Sequence, residues 1–207
     1  MRHLYLLFPL VFAVPAQAQA QAQAPALNRP DIPSKPPSST SPQAKDRHRQ
    51  LLDQLLNALQ SAPSEDAAAL LERRIEQFRL EAASPAVQLL MTRGMRGLRA
   101  GAARDAEADF DAAITLDPSY GEAWHRRAIA RFESGDTLGA IHDIGEALQR
   151  EPRNFAALDT LARLSETRED WKGAYAAWQK KLEINPKTPG GEEKLKDLRR
   201  RALGDAL

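Results

Sequence analysis

Asp117-Pro118, Glu151-Pro152 and Asn185-Pro186 stand 34 residues apart, and other residue types recur in phase with them. Ala106, Ala140 and Ala174 keep the same interval, as do Leu90, Trp124 and Leu158, and then Gly94, Ala128 and Ala162. A fixed period of this length means stacked supersecondary units, each unable to bury its apolar face alone. The chain is therefore a repeat array, a form that points to binding rather than chemistry.

The register marks three units, roughly 87–120, 121–154 and 155–188, each reading as helix, short turn, helix, turn. Gly101 and Gly135 end the first helix in units one and two, and Asp136 and Asp170 stand where the second helix needs an N-cap. The prolines stop that second helix, because a residue before proline is pushed out of helical geometry. Strand signals are lacking, so the expected fold is all-α, a solenoid of helical hairpins.

Residues 46–84 read as a further helical pair. Leu52, Leu55, Leu56 and Leu59 form one apolar stripe, Pro63 breaks the helix, and Ser64 is placed to cap the next. Ala68, Leu71, Ile75 and Phe78 make the second stripe. Stepping back 34 residues from Ala106 and Phe110 gives Glu72 and Glu76, both wrong for a packed core. The pair is expected to be a degenerate repeat that caps the stack. After Gly190-Gly191, Leu195, Leu198, Ala202 and Leu203 line one side of a last helix within 190–207, the expected C-terminal cap.

The N-terminus is the second strong signal. Arg2 and His3 precede an apolar run from Leu4 to Val14, followed by Ala16-Gln17-Ala18-Gln19-Ala20. A basic start, an apolar stretch of roughly 7–15 residues and an Ala-x-Ala site define a cleavable secretory leader. The run is shorter than the about 20 residues a membrane span needs. The expectation is a leader at 1–20, no membrane span in the mature chain, and a periplasmic location, with secretion the weaker option. Residues 21–45, rich in Pro, Ser, Ala and Gln, cannot offset the entropy of ordering and read as a disordered linker. With 0 cysteines, no disulfide or thiol chemistry is available.

The unit resembles the tetratricopeptide repeat, whose pattern is W-x2-L-G-x2-Y, then A-x3-F, then P. Unit one matches with Leu90, Gly94, Ala106, Phe110 and Pro118; unit two with Trp124, Ala128, Ala140, Ile144 and Pro152; unit three with Leu158, Ala162, Ala174, Trp178 and Pro186. The family Tyr position holds Gly97, Arg131 or Ser165 instead, and Lys181 replaces a small residue.

The resemblance implies an α-α superhelix whose concave face, lined by the first helix of each hairpin, binds a peptide or helix of a protein partner. Mapped onto this chain, the lining includes Met91, Met95 and Leu98 from unit one, His125, Arg126, Ile129 and Phe132 from unit two, and Asp159 and Arg163 from unit three. The Lys/Asn pattern with which some family members clamp a C-terminal carboxylate is absent there, which disfavours a chaperone-tail receptor. The expected function is a protein-interaction adaptor of the bacterial cell envelope, monomeric without its partner. The alternative is a self-associating structural protein with the groove or the terminal helices occupied by another copy.

Chemistry finds no foothold. The 29 basic and 28 acidic residues give a net charge of +1 with the signs interspersed, no footprint for nucleic acid. His125 and His142 each have a single carboxylate at helical spacing, short of the three or four ligands a metal needs. Carboxylate pairs such as Asp105 and Asp109 lie on amphipathic faces with no means of raising a catalytic pKa. The expectation is no catalytic residue, no cofactor and no metal.

Overall fold

The structure, a computed structural model, describes residues 42–204. The expected leader, most of the expected linker and residues 205–207 lie outside them. Among the described residues the chain forms nine helices and no strand: α1 (Pro42–Gln60), α2 (Glu65–Glu81), α3 (Pro85–Arg99), α4 (Ala103–Leu116), α5 (Gly121–Glu133), α6 (Thr137–Arg150), α7 (Phe155–Thr167), α8 (Trp171–Ile184) and α9 (Gly191–Leu203). α3–α4, α5–α6 and α7–α8 are the three hairpins. They stack in sequence order, α4 on α5, α6 on α7 and α8 on α9, which is the all-α solenoid expected.

Local chemistry starts and stops these helices. The side chains of Ser64, Ser84, Asp136, Asn154 and Asp170 accept hydrogen bonds from N–H groups in the first turns of α2, α3, α6, α7 and α8. Gly101 (φ 75°) and Gly135 (φ 93°) turn the first two hairpins through the left-handed region. Unit three puts Glu169 in the same place at φ 57°, a conformation costing a non-glycine residue about 1–2 kcal/mol.

The small and large positions of the repeat are the core. Gly94, Ala106, Phe110, Ala128, Ala140, Ile144, Leu158, Ala162, Ala174 and Trp178 are buried, Trp124 is half-buried, and Pro118, Pro152 and Pro186 sit exposed in the turns. The contact in unit one differs in detail from a Gly94–Ala106 facing pair. A Cβ on Gly94 would lie 2.6 Å from Phe110 Cε1, so the ring rests on bare backbone, and Ala106 instead lies over Gly97. Lys181 is accommodated by ion-pairing with Asp159 at 2.7 Å and lying 4.3 Å from the centre of the Trp178 ring. α9 closes the last core with Leu198.

The N-terminal pair is helical but does not cap the stack, and α1 begins at Pro42 rather than 46. Ile75 shares a core with Phe155, Leu158 and Ile184, together with Leu56, Leu59, Ala62 and Ala68. Gln60 Nε2 donates to the Glu183 carbonyl at 2.9 Å and Asn185 Nδ2 to Glu72 Oε1 at 2.7 Å, whereas Tyr120 at the other end donates its hydroxyl to the Arg79 carbonyl at 3.1 Å. α2 thus begins beside unit three and returns along the array to the start of unit two. The physical reason is the pair Glu72 and Glu76. Neither suits an Ala106-type or Phe110-type position; Glu72 finds a polar partner along the array in Asn185, and Glu76 lies within the electrostatic reach of Arg126.

Candidate functional site: the concave face

The first helices α3, α5 and α7 carry the groove positions, and α2 divides them. Met91 and His125 are buried, at 1% and 2% exposure, and do not form free surface. Met95, Leu98, Arg126, Ile129, Phe132 and Asp159 are half-buried, and Arg163 is exposed. Leu80 of α2 packs with Met91, Met95 and Leu98 around the first core. Phe132 joins the second core from its edge, and the Arg163 guanidinium lies 6.0 Å from the centre of its ring. The structure thus brings Phe132 and Arg163 together, while Met95 and Leu98 stay half-buried around the core that Leu80 of α2 also joins, and Ile129 is half-buried on α5. Asp159 is engaged by Lys181.

Under α2 the face is polar and closed. Glu122, 4% exposed, accepts from Arg126 Nε at 2.6 Å and lies 3.6 Å from His125 Nδ1. Thr160 donates its hydroxyl proton to the Ala156 carbonyl at 3.1 Å, so at the 3.1 Å His125 Nε2–Thr160 contact the imidazole is the donor. Burial alone would push the Glu122 carboxyl up. The cations Arg126 and Arg79, with the neighbouring His125 ring, outweigh it and hold that carboxyl well below the usual range. Arg126 is raised in turn, first by Glu122. Glu151 goes the other way, pushed up by burial in spite of Arg79 Nε at 2.8 Å.

These charges make a testable pH dependence. Glu122→Gln removes the carboxylate that Arg126 and Arg79 surround, and breaking a buried ion pair from one side costs about 3–5 kcal/mol. A group whose folded pKa is depressed contributes stability that is present above its unfolded value and is lost as pH falls through the folded one. The deficit of the Gln variant in urea melts is therefore full at pH 7 and shrinks progressively below the ordinary carboxylate value of 4.5. A deficit unchanged down to pH 3 would mean that the charge on Glu122 contributes none of it.

One set of side chains escaped the sequence reading. Arg93 Nε donates to Asp109 at 2.8 Å, and Arg127, one period later, makes the same pair with Asp143 at 2.8 Å. The 34-residue phase already carried these positions, and that recurrence was the available signal. Among the described residues no group of three or more His, Cys, Asp or Glu is placed to hold a metal ion, and no helix is long and apolar enough to cross a membrane. The face as built presents apolar area, the exposed Arg163 and buried polar side chains.

No family model matches the chain. A TPR repeat-containing protein of Rhizobium etli is 30% identical over 158 residues, which cover 76% of this chain and 77% of that protein. Among solved structures, the first TPR domain of Spaghetti, bound to an HSP90 peptide, aligns with a TM-score of 0.54 at 17% identity, covering 56% of this chain and 93% of its own. The MamA protein aligns at 0.54 with 18% identity, covering 77% and 86%. Identities this low show the fold alone. The relative from Rhizobium etli and the in-phase hairpins together show more: the chain belongs to the tetratricopeptide repeat proteins.

Proposed function

We propose that the chain is a protein-interaction adaptor of the bacterial cell envelope, exported by the leader at 1–20, which takes a peptide or helix of a partner on its concave face. The observation that carries this reading is the part of the face outside the α2 seat. Phe132 is only half-buried there, with the exposed Arg163 over its ring, and Met95, Leu98 and Ile129 are half-buried elsewhere along the first helices. Methionine adapts its shape to a ligand, and an arginine over an aromatic ring is a ready contact for an acidic side chain. Spaghetti holds an HSP90 peptide in its TPR domain. This chain lacks the Lys/Asn clamp at its groove positions, so its ligand is an internal segment or a helix rather than a chaperone tail.

The test is capture from an envelope extract by the tagged full chain and by its Phe132→Ala/Arg163→Ala variant. A partner held by the first and lost from the second, with both melting alike, is expected. Equal capture by both would place binding elsewhere. The same tagged chain, expressed in its host, is expected in the periplasmic fraction and shortened at its N-terminus; full-length chain confined to the cytoplasm would overturn the export reading.

A further inference from the structure

The stack has an open end at unit one. In units two and three the first helix enters the core of the unit before it. Tyr120, at the start of α5, joins the core of Phe110, Ala113 and Ile114 together with Ala123 and Ala130. Ala157 and Leu164 of α7 likewise join the core of Ala140, Ile144 and Ala147. Arg127 belongs to the same strip of α5 and reaches back from Nη1 to Asp111 of unit one at 2.7 Å.

One period before Tyr120, Ala123, Arg127 and Ala130 stand Ala86, Leu89, Arg93 and Arg96 of α3. Steps of three, four and three residues place them in one strip along the helix. All four are exposed. Leu89 is 71% exposed, where Ala123 and Ala157 have no exposure, and the Arg93 side chain is 65% exposed against 9% for Arg127. The cause is the seat of α1–α2, which runs along the array instead of lying over unit one. The strip that a preceding hairpin would cover is bare.

The chemistry of that strip selects its occupant. Arg93 is held by Asp109 through Nε and Nη2, as Arg127 is held by Asp143, but it lacks the further carboxylate that Asp111 gives Arg127. Arg96 has no carboxylate partner among the described residues. Two arginines beside one projecting leucine suit a helix with acids next to an apolar stripe. The contact of α4 with α5 is the pattern, for α4 offers Glu107 and Asp111, four residues apart, to Arg131 and Arg127, next to Phe110 and Ile114. A second copy docked strip to strip would gather four arginines with no acid between them.

We propose that the open face of α3 is a second docking surface, and that it takes an acidic amphipathic helix of a protein partner. That helix stacks on unit one as α4 stacks on α5, with carboxylates at the spacing of Glu107 and Asp111 and apolar residues at the spacing of Phe110 and Ile114. The surface shares no residue with the pair Phe132 and Arg163, so it stands or falls apart from the adaptor reading of the concave face.

The probe is a fluorescein-labelled peptide with the α4 sequence, Gly101 to Tyr120, read by anisotropy against the full chain. A hydrocarbon staple between positions 104 and 108, both exposed in the chain, holds it helical. Saturable binding that weakens as salt rises is expected. Leu89→Asp and Arg96→Glu in the chain, and Glu107→Gln/Asp111→Asn in the peptide, are each expected to weaken it about tenfold or more. Leu138→Asp, which alters a leucine 70% exposed on α6, and Phe132→Ala/Arg163→Ala are expected to bind as the unaltered chain does. The altered side chains of α3 are exposed, so both α3 variants are expected to melt with the unaltered chain; if Leu89→Asp melts early, Arg96→Glu carries the comparison. No saturable binding of the helical peptide, affinity indifferent to the α3 variants, or loss only in the Phe132→Ala/Arg163→Ala chain overturns the proposal. Light scattering that shows a doubled mass, returned to a single one by Leu89→Asp, would assign the face to a second copy and would also overturn it.

Discussion

Phe110→Ala is expected to destabilise the chain by about 3–5 kcal/mol in urea unfolding, the range for a large aromatic truncated in a core. Phe110 is fully buried and lies among Met91, Ala106, Ala113 and Ala123, holding α3, α4 and α5 together. The lower end of the range applies where neighbours collapse into the void, and here they are poorly placed to do so. One wall is the backbone at Gly94, which has no side chain to move, and others are alanines, whose methyls have no rotamer with which to fill the void. Gly94→Ala supplies the check. Alone it drives a methyl to 2.6 Å from the ring, overpacking of a kind that costs about 1–3 kcal/mol. In the Phe110→Ala background the same methyl enters the cavity and becomes neutral or stabilising. Additive losses in the double variant would mean that Gly94 and Phe110 do not share the contact described.

That contact explains why so much of the fold was legible. Two helices approach closely only where a side chain is nearly absent, so Gly94, Ala128, Ala162 and their partners must recur at one interval, and the interval is visible in a single sequence. The seat of α1–α2 was not legible in this way. Its stripes announced helices, and Glu72 and Glu76 announced a departure from the repeat. Where the departing pair docks is decided by groups far along the chain, as in the Tyr120 to Arg79 bond with its separation of 41 and the Arg79 to Glu151 bond with its separation of 72. The periodicity gives the lining positions of the groove but not which of them a terminal helix covers. His125 and Met91 lie at the spacing of lining residues, and only the position of α2 shows that they are covered. Arg126 is a lining position too, and its acid is Glu122, four residues away on its own helix.

The buried ion pair of unit two carries the second large effect. Asp143 has no exposure, receives Arg127 through Nε and Nη2 at 2.8 Å each, and also accepts from Arg131 Nη1 at 3.0 Å. Asp143→Ala leaves both guanidinium groups facing a site built for a carboxylate, and removal of one partner from such a pair costs about 3–5 kcal/mol. The lower end is expected, since Arg127 keeps Asp111 at 2.7 Å and Arg131 keeps Glu107 at 2.8 Å. The chain contains its own control. One period before this pair stand Arg93 and Asp109, and one period after it stand Leu161 and Ala177, so unit three closes the same contact with apolar side chains. Arg127→Leu/Asp143→Ala copies unit three into unit two. Replacing a buried pair whole by apolar groups is often neutral or stabilising, and the double variant is expected to melt within about 1 kcal/mol of the unaltered chain, far above Asp143→Ala alone. A double variant as unstable as the single one would mean that the ion pair supplies net stability which apolar packing at this position does not replace.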